Sequence, residues 1–97
     1  MRRRFIVCYD VSDPKRLRTI YQKLLGFGDP VQYSVFLCEL SDREKFLMFD
    51  VISGVIHHRE DRVMIVNVGP AEGRGREAIE FLGRSIPPDE RPVAVIV

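Results

Sequence analysis

The stretch FIVCYDVSDPKR, residues 5–16, passes from one kind of pattern to another. Its apolar half reads as a strand over residues 4–9, and the strand ends on an acid, Asp10. Asp13 then stands where a helix N-cap belongs, with Pro14 at the first helical position, where the missing N–H of proline costs nothing. Leu17, Ile20, Tyr21, Leu24 and Leu25 follow at the spacing of one helical face, with Gly26 or Gly28 as the stop. Lys15, Arg16, Arg18, Gln22 and Lys23 fall outside that face. A strand therefore feeds a basic helix, with a carboxylate at the junction. From spacing alone Asp10 is a turn residue, a metal ligand, or both.

Downstream, DPVQYSVFLCEL (residues 29–40) is extended, as one kinked strand or as two short strands breaking near Tyr33 and Ser34. Ser41 and Glu44 form a capping box, and FLMFDVISGVI continues as a second helix with a wide apolar stripe. His57 and His58 are expected at its C-terminus; adjacent helical positions point about 100° apart, which argues against a shared ligand. RVMIVNVG (62–69) predicts another strand, and PAEGRGRE a glycine-rich turn. AIEFLGRSI alternates like an edge strand, with a short helix as the alternative. PPDERP is a stiff link, and PVAVIV a last strand. This order predicts an α+β fold, a ferredoxin-like βαββαβ sandwich in a single domain over residues 1–97. Residues 70–92 would connect the sandwich to an extra C-terminal strand, 93–97.

The chain has 97 residues, 45% hydrophobic and 30% charged, which excludes a disordered chain. A domain of this size buries roughly 60–65% of its unfolded surface, enough for one thin core. No apolar run approaches the ~20 residues of a membrane span, and MRRRFIVCYD lacks a signal-peptide cleavage pattern, so a cytoplasmic protein is expected. Cys8 and Cys38 have no metal-site spacing and read as buried thiols. The net charge of +1 is uneven: residues 1–28 carry seven bases against two acids, whereas residues 29–62 carry four bases against seven acids. A cationic end on a neutral protein is the footprint of a nucleic-acid contact face, or of a solvated charged helix.

FIVCY and VMIVNV are apolar on both faces, although two helices cover only one face of a sheet. A second copy of the chain would cover the other, giving a two-fold homodimer in which PVAVIV adds to a partner's sheet edge. The alternative is that residues 70–97 fold back over the sheet. In a two-fold dimer each Asp10 lies near its symmetry mate if the strand end approaches the axis, and two carboxylates then share one ion.

YDVSD at 9–13, the helix with Arg16 and Arg18, and VQYSVF at 31–36 followed by CEL resemble the Cas-two family of small CRISPR-associated adaptation proteins, over essentially the whole chain. The resemblance implies a ferredoxin-like homodimer at the centre of the spacer-integration complex with a Cas-one integrase dimer. It also implies a metal-dependent endonuclease or endoribonuclease, acting on single-stranded RNA or double-stranded DNA. It puts the catalytic metal ligand at Asp10, with Mg²⁺ or Mn²⁺ as cofactor, and phosphate contacts at Arg16 and Arg18. Tyr9, Ser34 and Phe36 support the site. One departure is Pro30, where many relatives carry a base, so a phosphate contact from that point is absent. The other reading is a non-catalytic DNA-binding scaffold of the integration complex. A regulatory or metal-carrier domain would want a ligand-binding glycine loop or Cys-x-x-Cys, and neither is present.

Overall fold

Alternation along β1 (Arg3–Asp10) sends Phe5, Val7 and Tyr9 into the core and leaves Asp10 exposed at the strand end. The computed structural model describes residues 1–84. α1 (Pro14–Leu24) begins as its sequence dictates, with the Asp13 carboxylate accepting the Arg16 N–H at 2.9 Å. The helix stops at Leu24, before either glycine. Gly28 instead opens β2 (Gly28–Gln32), where a Cβ would collide with the Leu37 carbonyl and lie 2.6 Å from the Cys38 sulfur.

The extended segment is two strands, β2 and β3 (Val35–Leu40), joined by the two-residue turn Tyr33–Ser34. Ser34 has φ 60°, a left-handed conformation uncommon outside glycine. α2 (Asp42–Ser53) carries the full capping box: Ser41 Oγ accepts from Glu44 N–H, and Glu44 accepts from Ser41 N–H. His57 and His58 are not at its C-terminus. Gly54 caps the helix, and both histidines lie in the turn that leads to β4 (Arg62–Pro70).

Two further expectations change. The glycine-rich segment contains a single helical turn, α3 (Arg74–Glu77), whose Gly75 lies so close to Pro70 that a Cβ would meet its carbonyl oxygen. Beyond it, residues 78–84 form no strand. Gly83, at φ 97°, breaks the extended run there. The expected strand at 93–97 lies outside the described residues.

The sheet order is β2-β3-β1-β4, antiparallel throughout, which is the ferredoxin-like arrangement. Ile20 and Leu24 of α1 and Met48 and Ile52 of α2 pack on Phe5, Val7, Tyr9, Phe36, Cys38 and Leu40, so both helices cover one face. On the other face Ile6 lies between Leu37 and Val66, and Cys8 between Val35 and Met64. Met64 is 53% exposed and Val66 39% exposed. The strands are apolar on both faces, as their sequences predict, and the helices among the described residues cover only one of them. Among the described residues no helix is long and apolar enough to cross a membrane.

Candidate active site at the end of the first strand

Because Tyr9 points into the core, the next residue points away from it. Asp10 is thus on the open sheet face, in line with Ile6 and Cys8, and opposite Arg62 in the β1–β4 register. No hydrogen bond or ion pair among the described residues occupies its carboxylate. Asp10 is therefore no turn residue held by local bonds; Asp13 performs that task.

The two candidate arginines separate. Arg16 donates from Nε to Asp61 Oδ2 at 2.7 Å, and from Nη2 to Asp61 Oδ1 at 3.2 Å and Glu60 Oε1 at 3.3 Å. Asp61 has no accessible side-chain surface and also accepts the His57 N–H at 2.8 Å. The Arg16 guanidinium, then the His57 amide, hold its carboxyl below the ordinary aspartate value, and Asp61 in turn raises the pKa of Arg16. Arg16 thus ties the start of α1 to the turn before β4. Arg18 is exposed, as are Lys15 and Lys23 on the same helix, and none of the three has an ion pair among the described residues.

Folding also cancels most of the charge asymmetry read along the chain. Arg2 meets Glu44 at 2.9 Å, Arg3 meets Asp42 at 2.8 Å, and Arg4 lies 3.9 Å from Glu39. Four of the seven bases in residues 1–28, counting Arg16, face acids supplied by residues 29–62. The remaining cationic surface of that segment is the outer side of α1. Sequence reasoning missed Asp61 because its partner is 45 residues away, and the run Glu60–Asp61–Arg62 looks like any solvated turn.

The supporting residues are structural. Phe36 is fully buried, with Tyr9 and Tyr21 around it at ring-centroid distances of 6.2 and 5.5 Å. Tyr9 donates its N–H to the Ser34 carbonyl at 3.1 Å, which anchors the hairpin turn to the strand that carries Asp10. Burial, then the Tyr21 and Tyr33 phenols, raise the pKa of the Tyr9 hydroxyl, against a side-chain hydrogen bond with Ser34. His58 Nε2 lies 2.9 Å from the Ser53 carbonyl, and among the described residues no three His, Cys, Asp or Glu side chains gather as a metal cluster. Pro30 lies in β2, opposite Phe36.

The family model described as CRISPR associated protein Cas2 matches residues 1–73. The chain belongs to the Cas2 family. It is 35% identical over 92 residues to the CRISPR-associated endoribonuclease Cas2 1 of Rhodospirillum rubrum, covering 95% of this chain and 89% of that one. It is 40% identical over 87 residues to the CRISPR-associated endoribonuclease Cas2 2 of Thermodesulfovibrio yellowstonii, with 90% and 92% covered. Among solved structures, Streptococcus pyogenes Cas2 superposes with a TM-score of 0.71 at 27% identity, over 82% of this chain and 99% of that one. A hypothetical protein from Thermus thermophilus gives 0.73 at 27% identity, over 87% and 94%.

Proposed function

We propose that the protein is a metal-dependent endonuclease of CRISPR adaptive defence, acting in the cytoplasm as a two-fold homodimer. Its reaction is phosphodiester hydrolysis of single-stranded RNA or double-stranded DNA. The observation that carries this reading is Asp10: an exposed carboxylate without a partner among the described residues, emerging on an apolar sheet face that those residues leave open. The endoribonuclease names of the Rhodospirillum and Thermodesulfovibrio relatives agree with it.

Two copies stacked through Ile6, Cys8, Val35, Leu37, Met64 and Val66 would bury that face, with sheets about 10 Å apart. Each Asp10 belongs to the same face and so enters the interface. One chain offers one carboxylate there, too few for a metal ion; the pair from two copies offers the oxygen donors that Mg²⁺ or Mn²⁺ prefers. Bound there, the ion would supply an activated water and offset charge building on the phosphate. Arg18 and the open lysines of α1 would hold the strand by its phosphates. Arg16 contributes by keeping α1 in place. Residues 93–97 would add to the partner's sheet, and a Cas-one integrase dimer is the proposed protein partner.

The scarcity of acid–base groups near Asp10 favours a second reading, a non-catalytic DNA-binding scaffold of the spacer-integration complex. Cleavage by wild type and Asp10→Asn, over RNA and DNA substrates with Mg²⁺ and Mn²⁺, separates the two. The nuclease reading expects activity lost and the dimer kept. Equal activity in the repurified variant would remove Asp10 from the chemistry, and no cleavage by wild type on any substrate would leave the scaffold.

A further inference from the structure

The open sheet face carries two cross-strand pairs of opposite charge, one towards each end of β1. Arg4 lies opposite Glu39 in the β1–β3 register, and their side chains approach to 3.9 Å. Asp10 lies opposite Arg62 in the β1–β4 register, yet no hydrogen bond or ion pair among the described residues joins them. Directly opposed residues of an antiparallel pair have Cβ atoms roughly 4.5–5.5 Å apart and project to the same face. Asp10 and Arg62 are both exposed. A guanidinium on its long stem can therefore reach the carboxylate, but nothing fixes it there.

The placement of Arg62 follows from the turn before it. Asp61 faces α1, where Arg16 holds it through two contacts. The next residue, the first of β4, turns to the other side and falls in line with Met64 and Val66. At that end of the sheet Arg62 is the only base at an open-face position of the described strands. Arg16 and Arg18 belong to α1, which covers the opposite face.

A stacked pair of chains that brings two Asp10 carboxylates together brings two Arg62 guanidiniums with them. Their formal charges cancel, and an oxygen-donor site loses affinity for a divalent cation as its negative charge is reduced. A charge acts across a few ångströms without closing a hydrogen bond. A nucleic-acid phosphate reverses the balance, because it accepts the guanidinium fork and leaves the carboxylates without countercharge.

We propose that Arg62 is the countercharge of Asp10 and couples divalent-cation binding to nucleic-acid binding. With no strand bound, it offsets the carboxylate and keeps the cation affinity low. With a strand bound, its guanidinium turns to a phosphate and frees the carboxylate for the cation. This inference rests on the reading of Asp10 as a metal ligand and adds a regulating residue to it. Coupling of this kind is reciprocal: the strand raises cation affinity by the same factor as the cation raises strand affinity.

The test measures Mn²⁺ binding by electron paramagnetic resonance for wild type, Arg62→Gln, Arg62→Lys and Asp10→Asn. Each is titrated alone and with cleavage-resistant phosphorothioate oligonucleotides, as single-stranded RNA and as duplex DNA. Asp10→Asn reports the ions that an oligonucleotide gathers by itself. Wild type should bind Mn²⁺ about tenfold more tightly with an oligonucleotide than alone, and the oligonucleotide more tightly by the same factor with Mn²⁺. Arg62→Gln should bind Mn²⁺ alone about tenfold more tightly than wild type and lose the coupling. Arg62→Lys keeps the charge and loses the fork, so its Mn²⁺ affinity alone should match wild type while the coupling shrinks. Wild-type Mn²⁺ affinity or wild-type coupling in Arg62→Gln overturns the inference and leaves the Asp10 reading intact. Mn²⁺ binding equal in Asp10→Asn and wild type, or absent from wild type under both conditions, overturns that reading and the role of Arg62 with it.

Discussion

Arg16 and Asp61 meet through two donor–acceptor contacts, Nε–Oδ2 at 2.7 Å and Nη2–Oδ1 at 3.2 Å, and the carboxylate is closed off from solvent. The forked geometry suits guanidinium and cannot be reproduced by an ammonium. Arg16 therefore bears on the position of α1.

Arg16→Lys should keep the charge and lower the melting temperature; Arg16→Ala should lower it further by leaving Asp61 covered and unpaired. The pH dependence has a definite sign. Asp61 titrates lower in the fold than its ordinary 3.8, and Glu44, beside Ser41 and Arg2, lower than its ordinary 4.5. Each contributes stability that is fully present above those ordinary values and is lost as pH falls through the folded ones. Melting temperatures measured from pH 6 down to about pH 2 should fall for wild type, and Asp61→Asn should start lower and fall less. Parallel curves would show that the pair does not act on folding.

Arg18 should behave oppositely. Arg18→Glu is expected to leave the melting temperature unchanged while weakening nucleic-acid binding and reducing the slope of log affinity against log salt by about one. Binding that is unaffected would reduce the outer side of α1 to a solvated surface.

The open sheet face is tested by Met64→Lys, which puts a charge on a residue 53% exposed in one chain. Light scattering should give twice the chain mass for wild type and the single mass for the variant, with the helical signal kept. Removing residues 93–97 should also weaken the dimer. A Met64→Lys dimer of wild-type strength would place the interface elsewhere.

The cysteines report on the same face. Cys38 is fully buried, and burial pushes its thiol pKa up to about 12, so a thiol reagent at pH 8 should miss it until the chain unfolds. Cys8 is half-buried on the open face, and its labelling should slow as protein concentration rises through the dimer range. Labelling independent of concentration would mean that the second copy does not cover β1.

Much of this architecture follows from local physics legible in the sequence. Asp13 and Pro14 start α1, Ser41 and Glu44 start α2, and alternation in β1 divides core residues from Asp10, because caps and pleats act within a few positions. The strands that are apolar on both sides announced a second apolar sheet face for the same reason. What a one-dimensional reading could not resolve was which charges face each other. The apparent basic end of the chain shrinks to the outer side of α1 when Arg2, Arg3, Arg4 and Arg16 reach acids 35 to 45 residues away in sequence. Arg16 and Arg18 look alike on the helix, yet only the tertiary fold brings Asp61 under one of them and leaves the other open.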